Sequence, residues 1–158
     1  MASEYVESKL RYIDDLFEYF ESLKTDEKLK NHMANYLTVL ISGTYEDMIE
    51  NLIIEFVGKN NTKEEIENFV LKSIGLYFRN PDFANICNLI EKFDKDWSNK
   101  LKSLVDVRER TALDSIVNNK NNIAHTGQSS ITLKQIKEYY IDSRKVIEKL
   151  VSIIFDSQ

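Results

Sequence analysis

Apolar side chains recur along this chain at the three- and four-residue spacing that is typical of amphipathic helices. The clearest stripe is Val6, Leu10, Ile13, Phe17 and Phe20, which predicts a helix over residues 4–24. The later stripes predict helices over residues 26–58, 62–75, 80–93, 94–107, 111–126 and 133–155. Because one apolar stripe must be buried against another, we expect these helices to pack together.

Several short patterns predict where the helices begin and end. The predicted starts are Thr25 as an N-cap, the capping boxes of Thr62 with Glu65 and Thr132 with Gln135, Pro81 at a first helical position, and Thr111 with Asp114. Gly58 and Gly127 are predicted stops. Gly43 lies inside the second helical stretch, where it predicts a kink or a close helix contact.

The composition agrees with a helical protein. The 158 residues include one proline and four glycines, apolar residues make up 42%, and we find no internal repeat and no strand-like alternation. The sequence therefore predicts one all-α domain over residues 1–158, a single bundle of five to seven helices. With no run of 18 apolar residues and no signal-like start, we expect a cytoplasmic protein without a membrane partner.

The cysteine and tryptophan content narrows the chemistry further. The only cysteine, Cys87, excludes an internal disulfide and a multi-cysteine metal site, and we expect it to be buried. The only tryptophan, Trp97, lies on a helical stripe and is expected to pack in the core.

Charge is distributed unevenly along the chain. The net charge is −5, which argues against a protein that coats nucleic acid without specificity. Residues 1–94 carry 10 Lys or Arg and 18 Asp or Glu, whereas residues 95–150 carry 11 and 7. This asymmetry is compatible with a locally basic site, although a solvated charge pattern that has no binding role is the favoured explanation.

The sequence lacks the motifs by which most enzyme classes are recognised. The chain has only two histidines, and it lacks a glycine-rich phosphate loop, a His-x-x-x-His pair and a Cys/His cluster. Acidic runs such as Glu64–Glu67 are typical of solvated helix faces, so we predict no metal and no cofactor. His32 is interpreted as a surface or helix-contact residue.

His125 differs because of its neighbours. It ends a predicted helix beside Gly127, Lys120 precedes it by five residues, and amides occupy positions 118, 119, 121 and 122. An imidazole beside a cation is a workable pair for cleaving RNA without metal, since one moves a proton and the other stabilises phosphate charge. One histidine performs half of such a reaction, so an enzyme of this kind favours a two-fold dimer. The alternative is a histidine that merely caps a helix C-terminus.

The stretch from Ile116 to His125, followed by Thr126 and Gly127, resembles the signature of HEPN domains. Residues 36–46, 49–57 and the segment from Asn80 to Ile90 resemble the branch called RiboL-PSP-HEPN. The resemblance covers about residues 30–152, and the helix over residues 4–24 is expected to pack on this core.

This resemblance implies an α-helical homodimer and, in active members, a metal-independent endoribonuclease of prokaryotic toxin–antitoxin or defence systems. By the same resemblance His125 matches the catalytic histidine, Asn121 the polar residue after the motif arginine, and Glu46 an acidic position of this branch. Asn122 is a further candidate for contacting RNA.

Lys120 departs from the motif, because it stands where active members have arginine. Lysine keeps the charge but lacks the planar fork that grips phosphate through two bonds. Arg108 or Arg110 could contribute from just before this helix. Two functions therefore stay open: an RNA-cleaving dimer, with an antitoxin or regulatory protein encoded separately, and a non-catalytic module that binds RNA, nucleotide or a protein.

Overall fold

The structure is a computed structural model that describes residues 4–60 and 63–155, which form seven helices and no strand. The helices are α1 (Glu4–Ser22), α2 (Glu27–Lys59), α3 (Glu64–Tyr77), α4 (Phe83–Glu91), α5 (Lys95–Leu104), α6 (Val107–Thr126) and α7 (Leu133–Phe155). The predicted all-α bundle is confirmed.

The apolar stripes of all seven helices meet in one core. Helix α6 runs along α7, and both pack against the long helix α2. Leu37 and Ile41 of α2, Ile116 of α6 and Ile147 of α7 are fully buried in this core. Among the described residues, no helix combines the length and apolar character that crossing a membrane requires.

Helix α1 is fixed to the bundle mainly through α2 and the aromatic ring of Tyr140. The Tyr140 hydroxyl donates to the Leu10 carbonyl at 3.0 Å, and its ring stacks on Phe17 with centroids 5.4 Å apart. Nearby, the buried hydroxyls of Tyr45 and Ser143 are 2.8 Å apart and link α2 to α7. Burial raises the pKa of Tyr45 far above its usual range, so it acts as a neutral hydrogen-bonding group.

Cys87 and Trp97 lie where the sequence predicts. Both are buried, and Trp97 meets Phe56 edge-on with ring centroids 4.8 Å apart. Burial raises the pKa of the Cys87 thiol. These two residues therefore contribute to packing.

Two predicted helix starts are wrong because a neighbouring aspartate provides the cap. Asp26, rather than Thr25, caps α2 by accepting from the Leu29 amide at 2.8 Å. Helix α6 begins at Val107, four residues before Thr111, since Asp106 and Glu109 form a full capping box. A carboxylate competes well for these positions because it also interacts favourably with the helix dipole.

The ends of the middle helices also differ from the prediction. Pro81 precedes α4 instead of opening it, because Asp82 is the N-cap and accepts from the Asn85 amide at 2.8 Å. Helix α5 ends at Leu104, and α3 continues past Gly75 to Tyr77. Thr62, the predicted cap of α3, lies outside the described residues.

The boundary between α6 and α7 agrees with its predicted signals. Gly127 ends α6 in the left-handed conformation, with φ of 79°, and its amide donates to the Ile123 carbonyl. Thr132 and Gln135 form the predicted capping box, since the Gln135 amide donates to the Thr132 hydroxyl at 3.2 Å and Gln135 Oε1 accepts from the Thr132 amide at 2.9 Å.

The close helix contact predicted at Gly43 is not found among the described residues. Helix α2 continues unbroken through this position, and no atom outside the local helix lies within 4 Å of where a Cβ would stand. Gly43 therefore costs helix stability without providing room for a neighbour.

Replacing Gly43 by alanine should raise the free energy of unfolding by about 0.5–1 kcal/mol, because alanine loses less backbone entropy in a helix. Gly127→Ala is the matched control and should lower it, since φ of 79° strains any side chain. Denaturant titration of both variants measures the changes. A destabilised Gly43→Ala would mean that this backbone makes a close contact.

Candidate functional site

The polar motif occupies the last two turns of α6, and the helix pitch decides which of its side chains share a face. Successive residues turn by about 100°, so Asn121 and His125 lie roughly 40° apart. Lys120 and His125 lie roughly 140° apart and about 7.5 Å along the axis. The structure therefore places Asn121 beside His125, whereas Lys120 faces another side of the helix.

Lys120 is half-buried and held by a residue distant in sequence. Its Nζ donates to Asn80 Oδ1 at 2.7 Å, and Asn121 Oδ1 is a more distant acceptor at 3.4 Å. Both acceptors are neutral amides. The ammonium group is thus oriented without being paired directly to a carboxylate.

Asn80 is itself fixed on three sides. It adopts a left-handed backbone with φ of 54°, a region that asparagine tolerates better than most residues. Its backbone amide donates to Glu46 Oε2 at 3.1 Å. Its backbone carbonyl accepts from Asn85 Nδ2 at 3.0 Å and from the Asp82 backbone amide at 2.8 Å. These bonds present the Asn80 side chain to Lys120.

The segment around Asn80 is also bound to α6 one turn and a half before the motif. The Phe83 amide, at the start of α4, donates to Asp114 Oδ1 at 2.9 Å. The Arg110 guanidinium lies 3.7 Å from Asp114 and 5.2 Å from the centre of the Phe83 ring. Asp114, a predicted helix-start residue, therefore holds the α4 N-terminus against α6.

Glu46 reaches Lys120 only through Asn80. Its other oxygen lies 3.6 Å from Arg79, and its side chain is mostly buried. Burial raises the pKa of Glu50, one turn later, and the Glu46 charge raises it further. The Glu46 carboxylate thus contacts the backbone of Asn80, whose side chain accepts from Lys120.

His125 is exposed, and its imidazole has no hydrogen-bond partner among the described residues. Asn122 is exposed as well, while its carbonyl accepts from the Thr126 hydroxyl at 2.7 Å. Asn119 serves the loop after α6, because its Oδ1 accepts from the Ser129 hydroxyl at 2.6 Å. The imidazole is therefore open to a ligand or to another chain.

The structure does not bring Arg108 and Arg110 to Lys120. They precede Lys120 on α6 by twelve and ten residues, or about 18 and 15 Å along the axis. Arg108 instead donates to Asp142 Oδ2 at 2.6 Å. Burial raises the pKa of Asp142, but the bonds from Arg108 and Lys145 outweigh it, so this pKa lies below its usual range. The two arginines therefore do not support this site within one chain.

Asn80 is the site residue that sequence reasoning missed as a partner of Lys120. The sequence marked it only as a helix start and a point of family resemblance, because nothing local indicates a contact 40 positions away. In the described part of the chain, no group of three or more His, Cys, Asp or Glu side chains is arranged to hold a metal ion.

Comparison with known families gives one match. The family described as RiboL-PSP-HEPN matches residues 6–156, nearly the whole chain. No curated protein and no solved structure gave a match. The family match includes the motif from Lys120 to His125, the Asn80 segment and most of helix α1. This chain belongs to the RiboL-PSP-HEPN family, a branch of the HEPN domains.

Proposed function

We propose that this chain is a metal-independent endoribonuclease whose active site is completed by a second copy of the chain. The observation that carries the proposal is the arrangement at the end of α6. There a cation oriented by a neutral amide directly precedes a half-buried amide, Asn121, and lies five residues before an exposed imidazole. Membership of a HEPN branch supports a nuclease-like or RNA-binding role for this arrangement.

The reaction would be attack of a ribose 2′-oxygen on the adjacent phosphorus. The 2′-hydroxyl loses its proton to one imidazole, the P–O5′ bond breaks, and a second imidazole protonates the leaving 5′-oxygen. The products are a 2′,3′-cyclic phosphate and a 5′-hydroxyl end. A histidine suits both steps because imidazole exchanges protons near neutral pH.

Lys120 would stabilise the negative charge that grows on the non-bridging phosphate oxygens. Its hydrogen bonds to Asn80 and Asn121 leave the positive charge uncompensated, and the ammonium has a third donor for phosphate. Asn121, which lies on the His125 face, would position the substrate by hydrogen bonds, with Asn122 beside it. Glu46 would act at a distance by fixing Asn80.

A second copy is needed because each chain supplies one imidazole at this site. The other histidine, His32, lies near the start of α2 and lines the groove that follows α6. Two His125 side chains related by a two-fold axis would provide the acid and the base in one cleft. The exposed polar face that carries Asn121 and His125 is the surface through which we expect the copies to meet.

The family resemblance extends the proposal to biology. We propose a role in a prokaryotic toxin–antitoxin or phage-defence system, in which a separately encoded antitoxin or regulatory protein restrains the nuclease. The expected location is the cytoplasm, where RNA is accessible.

One observation favours a second candidate function. Lys120 replaces the motif arginine, its ammonium is bonded to Asn80, and it lies about 140° around the helix from His125. A lysine and a histidine arranged in this way also suit a module that binds RNA, nucleotide or a partner protein without cleaving RNA. The two candidates differ in whether products form.

Replacing His125 by alanine should abolish RNA cleavage, because the proton-transfer group is removed while an exposed side chain contributes little to stability. The measurement is cleavage of single-stranded and structured RNAs in EDTA, with analysis of the product ends. We expect cyclic phosphate ends from the unmutated chain only.

Lys72→Ala, which truncates an exposed side chain of α3, is the control and should cleave at the unmutated rate. Cleavage by His125→Ala at the unmutated rate would refute the assignment. RNA binding with no products from the unmutated chain would favour the binding module.

Lys120→Arg should raise the cleavage rate about tenfold, because a guanidinium can contact phosphate through two parallel hydrogen bonds. Lys120→Gln keeps hydrogen-bonding donors but removes the charge, and it should lower the cleavage rate by at least about tenfold. Rates under single-turnover conditions measure both changes. Equal rates for all three side chains would show that no charge at this position stabilises the transition state.

Replacing Asn80 by glycine should lower kcat by at least about tenfold while changing KM little, because Lys120 loses the acceptor that orients it. Glycine tolerates the left-handed backbone, so the fold is retained. Asn80→Asp restores the acceptor but bonds a carboxylate to Lys120, so it should not restore the unmutated rate. An Asn80→Gly variant with unchanged kcat would separate Asn80 from the reaction.

A further inference from the structure

A polar groove lies between the start of α2 and the loop that follows α6. It has a volume of about 630 Å³ and is open to solvent. One wall is the start of α2, with Lys28, Asn31 and His32, and the other is Thr126 with residues 128–130 after α6. The groove therefore begins one residue beyond His125.

The chemistry of these walls is uniform. All the described residues that line the groove are polar, and none of them is acidic. Lys28 and His32 are one helical turn apart and both exposed, so their side chains reach the same part of the groove. Gln128 and Asn31 add amides, which can pair with the edges of nucleotide bases.

The nearby acidic residues of α2 are engaged elsewhere. The Asp26 side chain caps α2 by accepting from the Leu29 amide. Glu27 lines the neighbouring groove and pairs with Lys30 at 2.9 Å. The net charge of the chain is −5, so a groove wall with a lysine and no acidic residue differs in charge from the chain as a whole. It is suited to an anionic ligand.

The loop wall is held in place by α6 itself. Ser129 donates to Asn119 and accepts from the Ile131 amide at 3.2 Å, and the Thr126 hydroxyl lies 2.8 Å from the Gln128 carbonyl. These bonds fix the loop at the end of the motif helix. A ligand bound here would therefore have a defined position relative to His125.

We propose that this groove binds a nucleotide of single-stranded RNA next to the scissile phosphate, with Lys28 contacting a phosphate and His32 contacting the ribose or base. The proposal rests on the proposed ribonuclease function and specifies where the substrate strand runs. Lys28 and His32 are binding residues here and take no part in proton transfer.

The test is binding of a fluorescent single-stranded RNA with 2′-O-methyl riboses, which cannot be cleaved through its 2′-oxygen. Anisotropy titrations at several salt concentrations give both Kd and its salt dependence. Lys28→Gln should raise Kd about fivefold and reduce the salt slope by about 0.7, the value for one phosphate contact on a single strand. His32→Ala should also raise Kd, with an unchanged slope. Lys72→Gln, an equal charge change on an exposed residue of α3, is the control and should change neither quantity.

Cleavage of unmodified RNA by the same variants separates this proposal from the proposed function. Weaker binding by Lys28→Gln without any cleavage by the unmutated chain would support the groove and overturn the nuclease. Cleavage with KM unchanged in both Lys28→Gln and His32→Ala would overturn the groove and leave the nuclease standing. Equal effects of Lys28→Gln and Lys72→Gln, or no binding of the methylated RNA, would also overturn the groove.

Discussion

The packing of α6 between α2 and α7 constrains every other feature of this molecule. Its buried residues, such as Leu113 and Ile116, fix the rotation of α6 about its own axis. Because each residue turns by a constant angle, this rotation also fixes the direction of every other side chain on α6. Once that rotation is fixed, Lys120 must lie toward the bundle and His125 must face solvent. The core therefore decides the geometry of the motif as well as the stability of the fold.

A half-buried ammonium needs a hydrogen-bond partner, and the nature of this partner has consequences for chemistry. A carboxylate bonded directly to Lys120 would compensate its charge and weaken its attraction for phosphate. The structure instead places Asn80 between the two: its side chain accepts from Lys120, and its backbone amide donates to Glu46. Glu46 thereby contributes to orientation through the Asn80 backbone without taking up the charge of Lys120.

Much of the fold could be predicted from the sequence because apolar periodicity is a local signal. The stripe from Val6 to Phe17 is buried as its spacing indicates, and Gly127 ends α6 because its conformation is local as well. Helix starts were harder to predict because several residues compete for each cap. Thr111 with Asp114 has the pattern of a start, yet Asp114 binds the α4 N-terminus and Asp106 caps the helix.

The candidate site could be predicted only as far as it is contiguous in the chain. His125, Lys120 and Asn121 were recognised from one stretch of α6, whereas the contact with Asn80 depends on how α4 docks.

Nearness in sequence also misled: Arg108 and Arg110 precede the motif closely, but the helical rise carries them to the far end of α6.

An acidic chain that acts on RNA must overcome repulsion at long range, so its binding groups have to act at short range. Lys120 is oriented by the neutral side chain of Asn80, whose backbone amide donates to Glu46. The loop after α6 carries hydroxyls and amides in place of acids. The groove after the motif thus has no acidic side chain among its described lining residues. In the proposed function, the net charge of −5 limits non-specific attraction to RNA, and the strand approaches at the acid-free groove after α6.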